Sequence, residues 1–374
     1  MKKLCLLLAI LTVLSLVFAL SSCGPATATD ENGIEYTFDN NSGTYVLTGT
    51  AECTATDVTI PATLEDFPVK IGVGAFEANT TIQTLTLEAG VTAETGSFKS
   101  SSIKKIVLPK GFVLASEAFA DCTALEEIVF PSDLKDIPYG IFNGCTSLKE
   151  VAIPEGIEYL GSIFDGCTAL ESITFPGTLT SINGHAFKDL TSLKEVHISD
   201  LKAWCSVDFT DSGRLSSDNN PFFTRASLYV NDKLVTDLVI PEGVTEIAAG
   251  AFNGASGIKS VTIPASVKTI GTFAFAGCAD LETINLQNGL TSIGDNAFAV
   301  TAIKTLTIPS TVEYVGEDAV IECENLTNVY FASTSNWSTW MYSQNEPVDV
   351  SNSAANAELM KSADNYFYQK NARN

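Results

Sequence analysis

The chain has 374 residues, of which 45% are hydrophobic and only 17% charged, a balance that excludes an intrinsically disordered polymer. It carries 21 basic and 44 acidic side chains, a formal charge of −23 at pH 7, which is the wrong sign for nucleic-acid binding. Length alone favours two or three globular domains, but an internal repeat displaces that expectation.

The chain opens with Lys2 and Lys3, an apolar run from Leu4 to Leu20, and then Ser21, Ser22, Cys23 and Gly24. A charged start followed by a long apolar run and small residues reads as a secretory signal peptide over residues 1–22. The segment Leu20-Ser21-Ser22-Cys23 resembles the lipobox of bacterial lipoproteins. That resemblance implies cleavage between Ser22 and Cys23 and acylation of Cys23. Each buried methylene of such an anchor contributes ~0.8 kcal/mol, so several chains on one residue hold stably. Gly24 follows the cysteine where an inner-membrane retention signal has Asp, which implies passage to the outer membrane. An ordinary signal peptide with a coincidental Cys, or an uncleaved anchor, are the alternatives. Residues 23–33 are small and polar and read as a lipidated tether.

Over residues 34–57, Ile34 to Phe38 and Tyr45 to Thr48 alternate apolar and polar side chains around Asp39-Asn40-Asn41-Ser42-Gly43. This predicts a β-hairpin. A stack of repeats exposes unpaired strand edges at its end, so a capping hairpin belongs there.

Repeats fill residues 58–198 and 240–331. In their most regular stretch, Ile258, Val261, Ile263, Val267, Ile270, Gly271, Ala274 and Phe275 return 23 residues later as Leu281, Ile284, Leu286, Leu290, Ile293, Gly294, Ala297 and Phe298. The Phe recurs at 76, 98, 119, 142, 164, 187, 252, 275 and 298, with Val320 in the last unit. A fixed period of this size predicts a solenoid whose units bury their apolar sides only against neighbours. Ile60-Pro61, Leu108-Pro109, Ile153-Pro154, Ile240-Pro241, Ile263-Pro264 and Ile308-Pro309 end a short strand at the same place, because Pro cannot donate to a ladder. After each strand comes a corner whose Gly is expected to permit a tight backbone. The Ala-Phe pair then turns a large ring inward.

Written as L-x-x-I-x-I-P followed by I-G-x-x-A-F-x-x-C, the unit resembles the BspA-like leucine-rich repeats, a class associated with bacterial surface proteins including those of Treponema. The resemblance covers about residues 58 to 331. It implies a β-rich leucine-rich repeat solenoid of short stacked strands, capped at both ends. It also implies a bacterial surface protein that binds host matrix or plasma proteins, or other bacteria.

Residues 199–239 break the pattern. Leu228-Tyr229-Val230-Asn231-Asp232-Lys233-Leu234-Val235 predicts a second hairpin over an Asn-Asp turn. The 65 residues between Phe187 and Phe252 are close to three periods, which favours a degenerate continuation of the stack. The alternative is a projecting loop with Trp204, Phe222 and Phe223 exposed. Residues 332–374 lose the period and read as a C-terminal cap. In it Trp337, Trp340 and Tyr342 would cover the last coil, Ser353 would cap a short helix to Lys361, and Asn365 to Tyr368 would form a closing strand.

Chemistry-bearing residues are sparse. His185 precedes an Ala-Phe pair at a corner, and His197 alternates away from the core between Val196 and Ile198. Neither has a motif partner, and no phosphate loop, zinc-protease motif or paired-Cys zinc spacing occurs. The expectation is a non-enzyme with no metal and no cofactor. Cys122, Cys145, Cys167, Cys278 and Cys323 each lie three residues after the Phe position and share one column, so free buried thiols are expected, although consecutive coils would allow a disulfide. Cys53 and Cys205 have no column partner.

The outward face of the repeated strand remains. Small residues dominate it, and strand propensity explains most of them. Lys105, Glu127, Glu150, Glu195, His197 and Tyr330 are the candidate contact residues. The expected partners are proteins, not nucleic acids, and the membrane is met only through Cys23. The chain is expected to be a monomer at the cell envelope. A structural envelope protein without a specific ligand, or a periplasmic binding module, are the rival readings.

Overall fold

The computed structural model describes residues 26–77, 79–211, 213–333, 337–341, 344–362 and 366–369. The signal peptide, Ser22, Cys23 and Tyr342 lie outside them. The described residues form two compact units, one up to residue 134 with 140–147 and one of 135–139 with those from 148 onward.

The first unit begins with antiparallel strands Thr27–Thr29, Glu35–Asp39 and Thr44–Gly49. Asp39 organises the turn of the hairpin. Its carboxylate accepts from the Asn41 N–H at 2.9 Å and the Ser42 hydroxyl at 2.6 Å, and the Ser42 bond draws its pKa below the ordinary value. Strand Thr44–Gly49 then pairs in parallel with Phe67–Ile71, which joins the hairpin to the repeats. A tight reversal at Glu65 and Asp66, both with positive φ, precedes that strand and is not announced by the repeat pattern.

The repeats of the first unit lay Asp57–Ile60, Thr84–Leu87, Lys105–Val107 and Glu127–Val129 side by side in parallel register. Val58, Leu85, Ile106 and Ile128 point inward and are buried. Behind the ladder, Phe76, Phe98, Phe119 and Phe142 form a column of fully buried rings. Successive centroids are 5.3, 5.0 and 6.2 Å apart, within the range of favourable aromatic pairs.

The second unit continues the same plan with Glu150–Ala152, Ser172–Phe175 and Glu195–Ile198. Its later ladders are Asp237–Val239, Ser260–Ile263 and Thr283–Leu286, then Thr305–Ile308 with Asn328–Phe331. A second ladder runs along the corner through Glu246–Ile247, Thr269–Ile270, Ser292–Ile293 and Tyr314–Val315. Phe252, Phe275 and Phe298 stack nearly parallel at 5.2 and 5.7 Å.

Residues 199–239 stay within the stack. Strand Ser227–Val230 pairs in parallel with Glu195–Ile198, then reverses through Asn231 and Asp232, both at positive φ, to Lys233–Leu234. Two adjacent left-handed residues are what a two-residue type I′ hairpin requires. The 65-residue spacing is covered in two ring-to-ring steps, Phe187 to Phe222 and Phe222 to Phe252, of 35 and 30 residues, rather than by three regular units, so the coil that carries Phe222 is enlarged. The Phe187 N–H donates to Asp218 O at 2.8 Å, and Phe222 sits beneath Phe252 at 6.5 Å. Trp204 and Phe222 are 1% and 0% exposed, so the projecting-loop alternative is wrong for both. Trp204 replaces a core ring and donates its indole N–H to Ala251 O at 2.8 Å. Phe223 alone of the three is exposed, at 58%.

The C-terminal end is closed in two ways. Tyr366–Gln369 pairs antiparallel with Tyr314–Val315 and with Trp337–Met341, which in turn pairs with Gln344–Pro347. Helix Ser353–Lys361 lies against Asn328–Phe331 and buries Ala357 and Met360. Its N-cap is Asn352, not Ser353: the Asn352 side chain accepts from the Ala355 N–H at 3.1 Å, while the Ser353 hydroxyl donates to Asn328 Oδ1 at 2.8 Å. Trp337 is buried 4.8 Å from the Phe331 ring.

The corner glycines serve packing rather than a special φ. A Cβ on Gly271 would lie 2.5 Å from Ala249 N, and one on Gly294 2.6 Å from Thr272 N. Left-handed positions fall instead two residues before most rings and two after most of them. The first column holds Gly96, Glu117, Gly140, His185, Gly250 and Asn296. His185 is therefore at an exposed left-handed corner.

Candidate protein-binding face

Alternation along each short strand sends one side chain into the core and the next out of the sheet. In the first unit the outward columns are Asp57, Thr84, Lys105, Glu127 and Thr59, Thr86, Val107, Val129, held in register by the ladder. Lys105 Nζ and Glu127 Oε1 meet at 2.8 Å across adjacent coils. Both are substantially exposed, so the pair contributes at most about 1 kcal/mol. Val107 and Val129 lie exposed beside it.

In the second unit the columns are Glu150, Ser172, Glu195, Ser227 and Ala152, Thr174, His197, Tyr229. Here the ladder builds a polar cluster. His197 Nε2 is 3.2 Å from Glu195 Oε2, and Nδ1 is 3.3 Å from Asp232 Oδ1. A neutral ring donates to one of these carboxylates and a protonated ring to both. Tyr229 stacks flat on His197, with centroids 4.5 Å apart and planes 11° from parallel. Its hydroxyl donates to Glu195 Oε1 at 3.4 Å. Beyond the hairpin the face returns to small polar residues, with Asp237 held by the Ser260 hydroxyl at 2.5 Å. Tyr330 pairs across the ladder with Thr307 and is 49% exposed.

All six candidate contact residues thus lie on outward strand positions. Lys105 touches Glu127, and Glu195 touches His197. Glu150 is separated from Glu195 by Ser172, and Tyr330 stands apart at the far end of its ladder. Tyr229, Asp232, Asp237 and Val239 join the face without having been expected there. The signal for Tyr229 was the alternation of Leu228, Tyr229 and Val230, masked because that strand begins 32 residues after Glu195 rather than one period later.

The cysteine column has a defined task inside. Cys122, Cys145, Cys278 and Cys323 direct Sγ to the carbonyl of the Phe one coil earlier, at 2.9, 3.1, 3.1 and 3.1 Å. Asn79 serves the same column by donating to Thr50 O at 2.9 Å. All seven cysteines among the described residues are buried and outside any disulfide, including Cys53 and Cys205. Burial pushes the Cys278 and Cys205 thiols up to about 12. Among the described residues no group of three or more His, Cys, Asp or Glu side chains is arranged to hold a metal, and no helix is long and apolar enough to cross a membrane.

The family model for the BspA type leucine rich repeat region, in six copies, matches residues 50–162, 92–216 and 225–348. The chain therefore belongs to the BspA-type leucine-rich repeat family, and its fold is that family's β-rich repeat solenoid. Among solved structures it is similar to the pneumococcal vaccine antigen PcpA, with 21% identity and a TM-score of 0.45 over 83% of this chain and 82% of that one. A leucine-rich cell surface protein from Faecalibacterium prausnitzii shows 23% identity and a TM-score of 0.41 over 84% and 97%. A leucine-rich repeat protein from Bacteroides ovatus shows 20% identity and a TM-score of 0.42 over 80% and 87%. The search of curated proteins found no match.

Proposed function

We propose that this chain is a lipid-anchored protein of the bacterial outer membrane that binds other proteins through its outward strand face, adhering to host matrix or plasma proteins or to other bacteria. The observation that carries the reading is the ladder itself. Successive coils hold charged, aromatic and small side chains in fixed register on an uncapped sheet face, as at Glu150, Glu195, His197 and Tyr229. Repeat solenoids offer extended surfaces of this kind to protein partners. The family membership supports protein binding as the class of activity. The anchor rests on Leu20-Ser21-Ser22-Cys23. Many copies on one membrane would turn weak contacts into durable attachment.

Protease treatment of intact cells tests the placement, with mass spectrometry of the N-terminal peptide reading the Cys23 lipid. The repeats should be removed while cells stay sealed, and Cys23→Ala should leave the membrane fraction. Repeats that survive until the outer membrane is opened would exclude adhesion and favour a periplasmic role.

A further inference from the structure

The enlarged coil of the second unit carries a groove that the strand face does not use. It encloses about 360 Å³ and is lined by residues including Phe187, Leu190, Asp189, Asp218, Asn220 and Phe223. None of its lining residues belongs to a strand. We propose that this groove docks a basic, apolar segment of a partner protein, one that presents Lys or Arg beside a large apolar side chain.

Phe223 is the first argument. It follows Phe222, which fills the core below Phe252. In other coils the residue after the ring position is Glu77, Lys99, Asn143, Asp165, Lys188 or Asn253, a small Ala, or Ile321 in the last unit, and no other coil has an aromatic there. Stack formation therefore does not require Phe223, and its 58% exposure leaves a large apolar surface in water.

The turn that displays Phe223 is fastened at both ends. Asn220 caps the short 3-10 helix Pro221–Thr224 by accepting from the Phe222 N–H at 2.8 Å, and its amide also donates to Gly250 O. Thr224 Oγ1 donates to Pro221 O at 2.9 Å, and Arg225 closes the turn in the left-handed conformation. An aromatic held on so constrained a backbone loses little entropy when covered, which suits a binding anchor.

Charge selects the partner. The groove lining contains the carboxylates of Asp189 and Asp218 and no Lys or Arg. Asp218 also engages His185 Nδ1 at 3.1 Å on the rim. Lys188 and Arg225, next in the chain to Asp189 and Thr224, are exposed, but neither lines the groove. An apolar side chain against Phe223 with a cation at the two aspartates satisfies both features at once. An acidic segment would be repelled by the lining and by the −23 net charge.

A phage-displayed library of random 12-residue peptides, selected on the folded full chain, tests the assignment. Enriched peptides should pair Lys or Arg with Leu, Ile, Phe or Trp. They should bind Phe223→Ser at least about tenfold more weakly, the loss expected for an anchor residue. Asp189→Asn should weaken them less, and raised salt should weaken them on the wild type. Phe223→Ser should melt with the wild type, since the side chain is outside the core. Enriched peptides without a basic residue, peptides indifferent to Phe223→Ser, or no enrichment on the wild type would each overturn the proposal. The strand-face reading is tested by different residues and survives any of these results.

Discussion

At Val300 the backbone takes φ 59°, in a column otherwise occupied by Gly144, Gly254 and Gly277 or by polar residues such as Ser100 and Asp121. A left-handed conformation costs an L-residue about 1–2 kcal/mol, and a β-branched one suffers most. The Val300 side chain is exposed, so little burial offsets that cost. Val300→Gly should therefore raise stability by about 1 kcal/mol, read as a higher denaturant midpoint; an unchanged or lower midpoint would show that the position is unstrained. The cysteine column makes a second prediction at this scale. Cys205 and Cys278 stay protonated in the fold up to about 12, whereas a thiol in the unfolded chain ionises near about 8.5. Between those values the unfolded state holds fewer protons, so stability is complete below the lower value and declines as pH rises toward the upper one. Replacing both with Ser should flatten the alkaline branch of a urea-stability profile. An unchanged branch would place its origin in other groups.

Each coil is one strand, one corner and one ring, and the ring makes the element depend on its neighbours. Phe275 is fully buried between Phe252 and Phe298. Phe275→Ala should cost roughly 3–5 kcal/mol, the usual price of removing a core ring. Loss of less than about 1 kcal/mol in calorimetry or denaturation would mean that the column does not carry the stack. The inward and outward sides of nearly every regular strand were legible in the sequence, because a period of two within a period of 23 leaves one assignment for Val261 and Ile263 and the opposite one for Ser260 and Thr262. The corner glycines were placed correctly but for the wrong reason. What demands Gly271 is the Ala249 backbone one coil away, and a local pattern contains no such distance.

At the scale of the whole molecule, acidic residues outnumber basic ones 44 to 21, and the Lys105–Glu127 pair on the face is exposed. Such charges contribute little to folding and much to the choice of partner. Glu150→Lys combined with Glu195→Lys should change stability by less than about 2 kcal/mol, allowing for the lost His197 contact. The same double variant should alter binding to arrays of plasma and matrix proteins, measured beside the wild type. Identical binding profiles would remove this part of the face from the contact surface. The sequence by itself determined the repeat, the ring and cysteine columns, the short strands ended by Pro, and the six outward candidates, because each is a local identity recurring at a fixed interval. Tertiary structure alone decided that Trp204 and Phe222 enter the core, that Tyr229 stacks on His197, and that Phe223 is left outside. Those outcomes depend on contacts such as Trp204 with Ala251, 47 residues apart across an irregular coil, where no period carries the information.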